Sequence, residues 1–158
     1  MARSLQVGSV FTIPLDDARV GVGQLVAAYN QPHYFYVGVF RPAYDRNSVP
    51  PPASAAVKPL ALLALTMDVK ITHGDWEVIG TADVAAGTPL PAYKEAVGTF
   101  DHIDVVDFSG TMRRRATDLE ASWLPNRTIV HQSASSLPLP RCTTSNRGTT
   151  SSPRWSRN

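Results

Sequence analysis

The sequence predicts a mostly β fold, a β-rich α+β domain built as a single small antiparallel sheet or barrel with one short helix. Three observations support this class. Short segments rich in β-branched and aromatic residues recur along the chain, polar turn sequences separate them, and only one segment carries a clear helix start. We expect one domain over residues 1–130, because a unit of about 130 residues buries enough apolar surface to fold without metals or disulfides.

The domain is predicted to be organised around a hairpin at residues 7–29. In its first arm Phe11, Ile13 and Leu15 share one parity, and side chains of one parity lie on one face of a strand. Residues 16–19 (DDAR) have the composition of a tight turn, since short carboxylate side chains hydrogen-bond the nearby backbone.

The second arm contains Gly21 and Gly23, which leave a bare patch where another strand or a side chain can lie close. Residues 33–40 (HYFYVGVF) predict the third strand, because aromatic and β-branched residues favour a half-buried pleated surface. Residues 41–59 predict a loop, since three consecutive prolines within them cannot donate ladder hydrogen bonds.

The second half of the domain is predicted from weaker patterns. Residues 59–69 (PLALLALTMDV) fit a buried strand or a short helix, and the flanking Val, Thr and Ile favour the strand. A strand within residues 73–84 enters the core through Trp76, a loop covers residues 85–92, and a further strand covers residues 100–108. The side chains predicted to form the core are Phe11, Ile13, Val22, Phe40 and Trp76.

The one predicted helix begins at Thr117. Thr117 and Glu120 match a capping box, in which the hydroxyl caps the third amide and the glutamate reaches back. Leu119 and Trp123 are four residues apart, so both are expected to face the core. Residues 124–130 are predicted to form a closing strand.

Charge and composition change towards the C-terminus. Residues 1–120 hold 10 basic and 13 acidic side chains, whereas residues 121–158 hold five arginines and no acid. Residues 131–158 contain 11 Ser/Thr and no apolar period, which predicts a disordered basic Ser/Thr/Pro-rich tail. Its composition also resembles a gene read out of frame, which stands as a hypothesis. The N-terminal residues lack the apolar core of a signal peptide, and the longest apolar run is too short to cross a bilayer, so we expect a cytoplasmic protein.

The motifs of enzymes and metal sites are absent from the sequence or match it poorly. Two H-x-D pairs, at 73–75 and 102–104, carry metal-ligand residue types but lack a recognised spacing, and scattered polar residues are the favoured interpretation. Cys142 lies in the predicted tail, and the chain has no nucleophile elbow, P-loop or dinucleotide fingerprint. We therefore expect no catalytic residues and no cofactor.

Nucleic-acid binding is an alternative function, as a small β-barrel module. Arg113, Arg114 and Arg115 could contact phosphates, but a solvated rim is the favoured interpretation. Tyr34, Phe35 and Tyr36 could stack on bases, yet no positive charge neighbours them and core packing is favoured. A second alternative is a hydrolase whose pocket would hold His73 or His102 against a carboxylate.

Five segments in series resemble the immunity protein 26 family of bacterial polymorphic toxin systems. They are GSVFTIPL (8–15), GVGQLV (21–26), YVGVF (36–40), GDWEVIG (74–80) and LPNRT (124–128). The resemblance spans about residues 5–130, and no single motif in it is catalytic. It implies a mostly β fold and protection of the producing cell or its kin from a toxin by binding that toxin.

The resulting hypothesis is a small non-enzymatic cytoplasmic protein that occludes the active site of a cognate toxin domain. An acidic surface suits the inhibition of a basic enzyme such as a nuclease, although a merely solvated face fits the same residues. The carboxylates predicted to bind the toxin are Asp16, Asp17, Asp75, Asp101 and Asp104, together with the 41–58 loop. The sequence leaves the oligomeric state open.

Overall fold

A computed structural model describes residues 5–99, 101–127 and 129 of the chain. These residues form two antiparallel sheets and three short helices, which confirms the mostly β class, with the strands divided between two sheets and no closed barrel. The predicted tail at residues 131–158 lies outside the described residues. The elements are β1 (Ser9–Pro14), β2 (Arg19–Ala28), β3 (Tyr34–Asp45), α1 (Pro52–Ala56), β4 (Leu60–Met67), α2 (Val69–Thr72), β5 (Val78–Thr81), β6 (Tyr93–Ala96), β7 (Ile103–Val106), β8 (Arg113–Arg115) and α3 (Asp118–Trp123).

The hairpin of β1 and β2 lies at the centre of the larger sheet, whose strand order is β4-β3-β2-β1-β5. Phe11 pairs with Gly23 and Ile13 pairs with Gly21, so the two glycines lie opposite the two largest apolar side chains of β1. The Phe11 ring lies directly over Gly23, in the space that a β-carbon would need. The predicted hairpin and the predicted bare patch are both confirmed.

Both faces of this sheet are buried, because chain segments cover each of them. On the α2 face, Ile71 packs against a cluster of β1, β2 and β3 side chains, and Trp76 stacks on Phe11 with ring centroids 5.3 Å apart and planes 6° from parallel. On the α1 face, Ala55 and Ala56 pack against Val10, Val22 and Phe40. The strands therefore lack the simple alternation of buried and exposed residues that a one-sided sheet shows.

The core prediction is confirmed for Phe11, Ile13, Val22 and Phe40, which are each less than 9% exposed. Trp76 packs against the same core but is only partly buried, because it lies in the α2–β5 connection above the sheet rather than within a strand.

The predicted loop at residues 41–59 is wrong in part. β3 continues to Asp45 because β2 offers partners that far, pairing Arg19 with Asp45 and Val20 with Tyr44. The register between β2 and β3 is irregular between Val20 and Val22, and this irregularity accommodates Pro42 of β3, since a bulge leaves a residue without a ladder hydrogen bond. Residues 52–56 then form α1, which begins on a proline.

The smaller sheet has the order β6-β7-β8, and the sequence patterns did not predict β6 or β8. It packs on the larger sheet around Tyr36 and Leu65. Within the predicted strand at residues 124–130, the described residues form two isolated parallel bridges, Asn126 to Lys94 of β6 and Ile129 to Leu65 of β4. Asn126 and Ile129 therefore each contact an edge strand of a different sheet.

The helix α3 has the predicted capping box, with Thr117 Oγ1 accepting from the Glu120 amide and Glu120 accepting from the Thr117 amide. The prediction that Leu119 and Trp123 face the core is wrong, since they are 72% and 64% exposed. Polar contacts tie α3 to the three-stranded sheet, among them the hydrogen bond from Lys94 Nζ to the Ala121 carbonyl at 2.7 Å.

Candidate functional site

The turn between β1 and β2 presents two of the predicted toxin-binding carboxylates. Asp16 Oδ1 accepts hydrogen bonds from the amides of Ala18 at 3.0 Å and Arg19 at 2.7 Å, and Asp16 Oδ2 pairs with the Arg19 guanidinium at 2.7 Å. The hydrogen bond from the Arg19 side chain lowers the pKa of Asp16. Arg46 also donates to the Asp16 carbonyl at 3.1 Å. The turn is therefore well ordered by its own contacts, and Asp17 beside it is exposed.

Asp75 lies in the connection between α2 and β5. Its Oδ2 accepts from Lys70 Nζ at 2.7 Å, and this bond to Lys70 lowers the pKa of the Asp75 carboxyl. The structure thus pairs Asp75 with a lysine of α2 and leaves His73, the other half of the H-x-D motif, exposed. Asp75 precedes Trp76, so an exposed ion pair lies beside the half-buried indole.

Asp101 and Asp104 are on the smaller sheet and occupy different environments. Asp101 is exposed in the turn before β7. Asp104 is 8% exposed and lies between two partners, His102 Nε2 at 3.1 Å and Arg113 Nη1 at 3.6 Å. A buried carboxylate needs such partners to offset its lost hydration. Asp104 is therefore compensated within the protein, whereas Asp101 is exposed to solvent.

An ion network that includes Glu95 joins the smaller sheet to the larger one, and the sequence patterns did not reveal it. Arg127 donates to both Glu95 and the Tyr29 hydroxyl, and its guanidinium carbon lies 5.2 Å from the centroid of the Tyr29 ring. Arg113 Nη2 binds the other Glu95 oxygen at 2.5 Å. Glu95 is 18 residues from Arg113 and 32 from Arg127, and Arg127 is 98 residues from Tyr29. No local spacing in the sequence could therefore have indicated the network.

The exposed side of α3 carries two large apolar side chains, Leu119 and Trp123, which we call the α3 patch. Leu119 and Trp123 are neighbours on the helix. Arg114 of β8 holds α3 through Glu120, with Nη1 donating to the carboxylate at 2.8 Å. The patch lies outside the larger sheet and its two covered faces. Large exposed apolar groups of this kind are typical of protein contact surfaces.

The favoured core packing of Tyr34, Phe35 and Tyr36, over a stacking platform for nucleic acid, is confirmed, because all three pack against buried clusters of the protein. Tyr36 is fully buried, its ring lies edge-on to Phe108 at 6.2 Å, and burial raises the pKa of its hydroxyl. Tyr34 and Phe35 are half-buried, and Tyr34 lies edge-on to Tyr29 at 6.4 Å. Stacking on bases requires open ring faces, which these side chains use for contacts within the protein.

The three arginines of β8 are exposed but paired with protein groups. Arg113 and Arg114 bind Glu95 and Glu120, and Arg115 lies 3.3 Å from His102 Nδ1. Across residues 5–99, 101–127 and 129, no three His, Cys, Asp or Glu side chains converge as a metal site would require. None of the helices in this part of the chain is long and apolar enough to cross a membrane.

Comparison with curated proteins and with solved structures found no significant match. A family model described as immunity protein 26 matches residues 6–99. This stretch contains all five strands of the larger sheet, both segments that cover its faces, and β6. Since the match covers more than half of the chain, the chain belongs to the immunity protein 26 family.

Proposed function

We propose that this chain is a non-enzymatic immunity protein that binds a cognate toxin domain of a bacterial polymorphic toxin system and neutralises it in the cytoplasm. The observation that carries this proposal is the family match over residues 6–99. The five-stranded sheet, buried on both faces, supports the idea, because a preorganised binder loses little conformational freedom when it meets its partner.

The proposed toxin contact is the predicted set Asp16, Asp17, Asp75, Asp101 and Asp104, with occlusion of the toxin's active site as the mechanism. Asp17 and Asp101 are the strongest candidates, because they are exposed and form no ion pair with a described residue. Asp16 and Asp75 contribute less net charge, since Arg19 and Lys70 compensate them. The excess of acid over base in residues 1–120 would attract a basic toxin and raise the rate of encounter.

The direct test is co-expression of the full chain with the toxin encoded beside its gene, scored by cell survival and then by co-purification. Rescue with a stable complex is the expected result. A toxin that still kills the cells, while the chain is folded and abundant, would contradict the proposal.

Charge reversal then tests the proposed contact. Asp17→Lys and Asp101→Lys should each weaken toxin binding and slow association, with the larger effect at low salt. The matched control is Asp83→Lys, an exposed carboxylate outside the predicted set that changes the net charge equally. If all three variants weaken binding to the same extent, general charge rather than a local contact explains the effect.

A further inference from the structure

One edge of the larger sheet is the apolar strand β4, and within the described part of the chain much of its outer side has no strand partner. β4 contains no charged residue in its eight positions (LALLALTM), and β3 is the only named strand that pairs with it. Ile129 bridges β4 at Leu65, and no strand of the described part of the chain pairs with the outer side of residues 60–64. Leu62, at the middle of this free stretch, is 38% exposed. Such an edge is a template for another strand.

The opposite edge, β5, has the features that block strand addition. It is only four residues long, and a register irregularity interrupts its pairing with β1 between Val10 and Phe11. The exposed carboxylates Asp75, Glu77 and Asp83 flank it on both sides. Short length, a bulge and charge each discourage edge pairing. A second copy therefore cannot readily add β4 to β5, an arrangement that would propagate into an open filament.

The free stretch of β4 is complementary to itself. In an antiparallel pair related by a two-fold axis at Leu62, Leu62 faces its own copy, Leu60 faces the second copy's Ala64, and Ala61 faces the second copy's Leu63. All these pairs are apolar. Residues 60–64 carry no charge, so this register places no like charges opposite each other.

We propose that two copies of this chain associate through residues 60–64 of β4, paired antiparallel about Leu62. The two five-stranded sheets then form one continuous ten-stranded sheet. The association covers the half-exposed Leu62 side chains and pairs the free backbone groups of this edge. It is closed by its symmetry, because among the strands of residues 5–99 and 101–127 the other sheet edges, β5, β6 and β8, are short and contain or adjoin charged residues.

Sedimentation equilibrium of the full chain over a concentration series tests the proposal. We expect a monomer–dimer equilibrium, and we expect Leu62→Lys to raise the dissociation constant by about tenfold or more, since it places two ammonium groups together at the axis and removes apolar contact. The matched control is Leu119→Lys, an exposed leucine of the α3 patch, which should leave the equilibrium unchanged. A wild-type chain that stays monomeric throughout the series, or a dimer lost in Leu119→Lys and kept in Leu62→Lys, would overturn the proposal.

A crosslink tests the register independently of the lysine variant. Opposed residues of an antiparallel pair have Cα atoms about 4.5–5.5 Å apart, which lies within disulfide reach. In a Cys142→Ser background, Leu62→Cys should therefore form a disulfide-linked dimer on mild oxidation, and Leu119→Cys should not. Equal crosslinking of the two variants would reflect random collision and would refute the two-fold pairing.

Discussion

The close contact between Gly23 and Phe11 makes the stability of this fold sensitive to a single methyl group. A β-carbon added at Gly23 would lie 2.7 and 2.8 Å from two atoms of the Phe11 ring and 3.3 Å from Ile13 Cδ1. The ring cannot simply rotate away, because Phe11 is fully buried and stacks on Trp76. Overpacking of this kind typically costs about 1–3 kcal/mol, so we expect Gly23→Ala to lower the free energy of unfolding by that amount.

Gly21 provides a matched control on the same strand and the same face. A β-carbon there would meet its nearest neighbours, Ile13 and Leu15, at 3.9 Å, which is ordinary contact. Gly21→Ala should therefore be neutral or stabilising by about 0.4–1 kcal/mol, because alanine restricts the unfolded chain. Urea unfolding at an unchanged m-value should show the midpoint of Gly23→Ala falling and that of Gly21→Ala holding or rising. Equal midpoints for the two variants would refute the reasoning from the Phe11 ring.

Three further predictions concern the cover of the sheet and the smaller sheet. Trp76→Ala should lower the free energy of unfolding by about 2–4 kcal/mol, and Trp76→Phe should lower it by less, because the stack on Phe11 is half-buried. Urea melts in which Trp76→Ala has the same free energy of unfolding as the wild type would contradict this. Hydrogen bonding to Arg114 lowers the pKa of Glu120 to about 2 from an ordinary 4.5, so its stabilisation of α3 should be complete above pH 4.5 and lost as the pH falls towards 2. Amide exchange of α3 should follow that loss, and Glu120→Gln should abolish the pH dependence. Arg127→Ala should cost about 1–3 kcal/mol in urea melts, because it removes charged hydrogen bonds between the sheets, and Arg127→Lys should restore only part of that loss.

Local patterns predicted the larger sheet well. The alternation around Phe11 and Ile13, the DDAR turn and the aromatic run at residues 33–40 are short-range signals, and the structure places strands and a turn there. The capping box of α3 is equally local, since both of its hydrogen bonds join residues three positions apart. The extension of β3 to Asp45 was missed because its partners lie on β2, and the pattern of a single segment does not include its neighbours.

The candidate site was harder to predict from the sequence than the larger sheet, because its electrostatics depend on tertiary contacts. The sequence identified Asp16, Asp17, Asp75, Asp101 and Asp104 only as acidic residues. The structure shows which of them are compensated, which are exposed, and that Asp104 is buried beside His102 and Arg113. Composition counts charges, whereas the electrostatic role of a carboxylate depends on the cations that folding brings within a few ångströms of it.

The sequence by itself determined the mostly β class, the central hairpin, the apolar core of the larger sheet and the resemblance to the family, because each depends on residue type and on spacing within about ten residues. Only the tertiary structure decided the division into two sheets, the exposure of Leu119 and Trp123, the network around Arg127 and the open edge at β4. These features depend on which surfaces meet across long stretches of chain. The hydrophobic effect favours burial of an amphipathic segment, but it does not specify which neighbour covers that segment or which edge is left free.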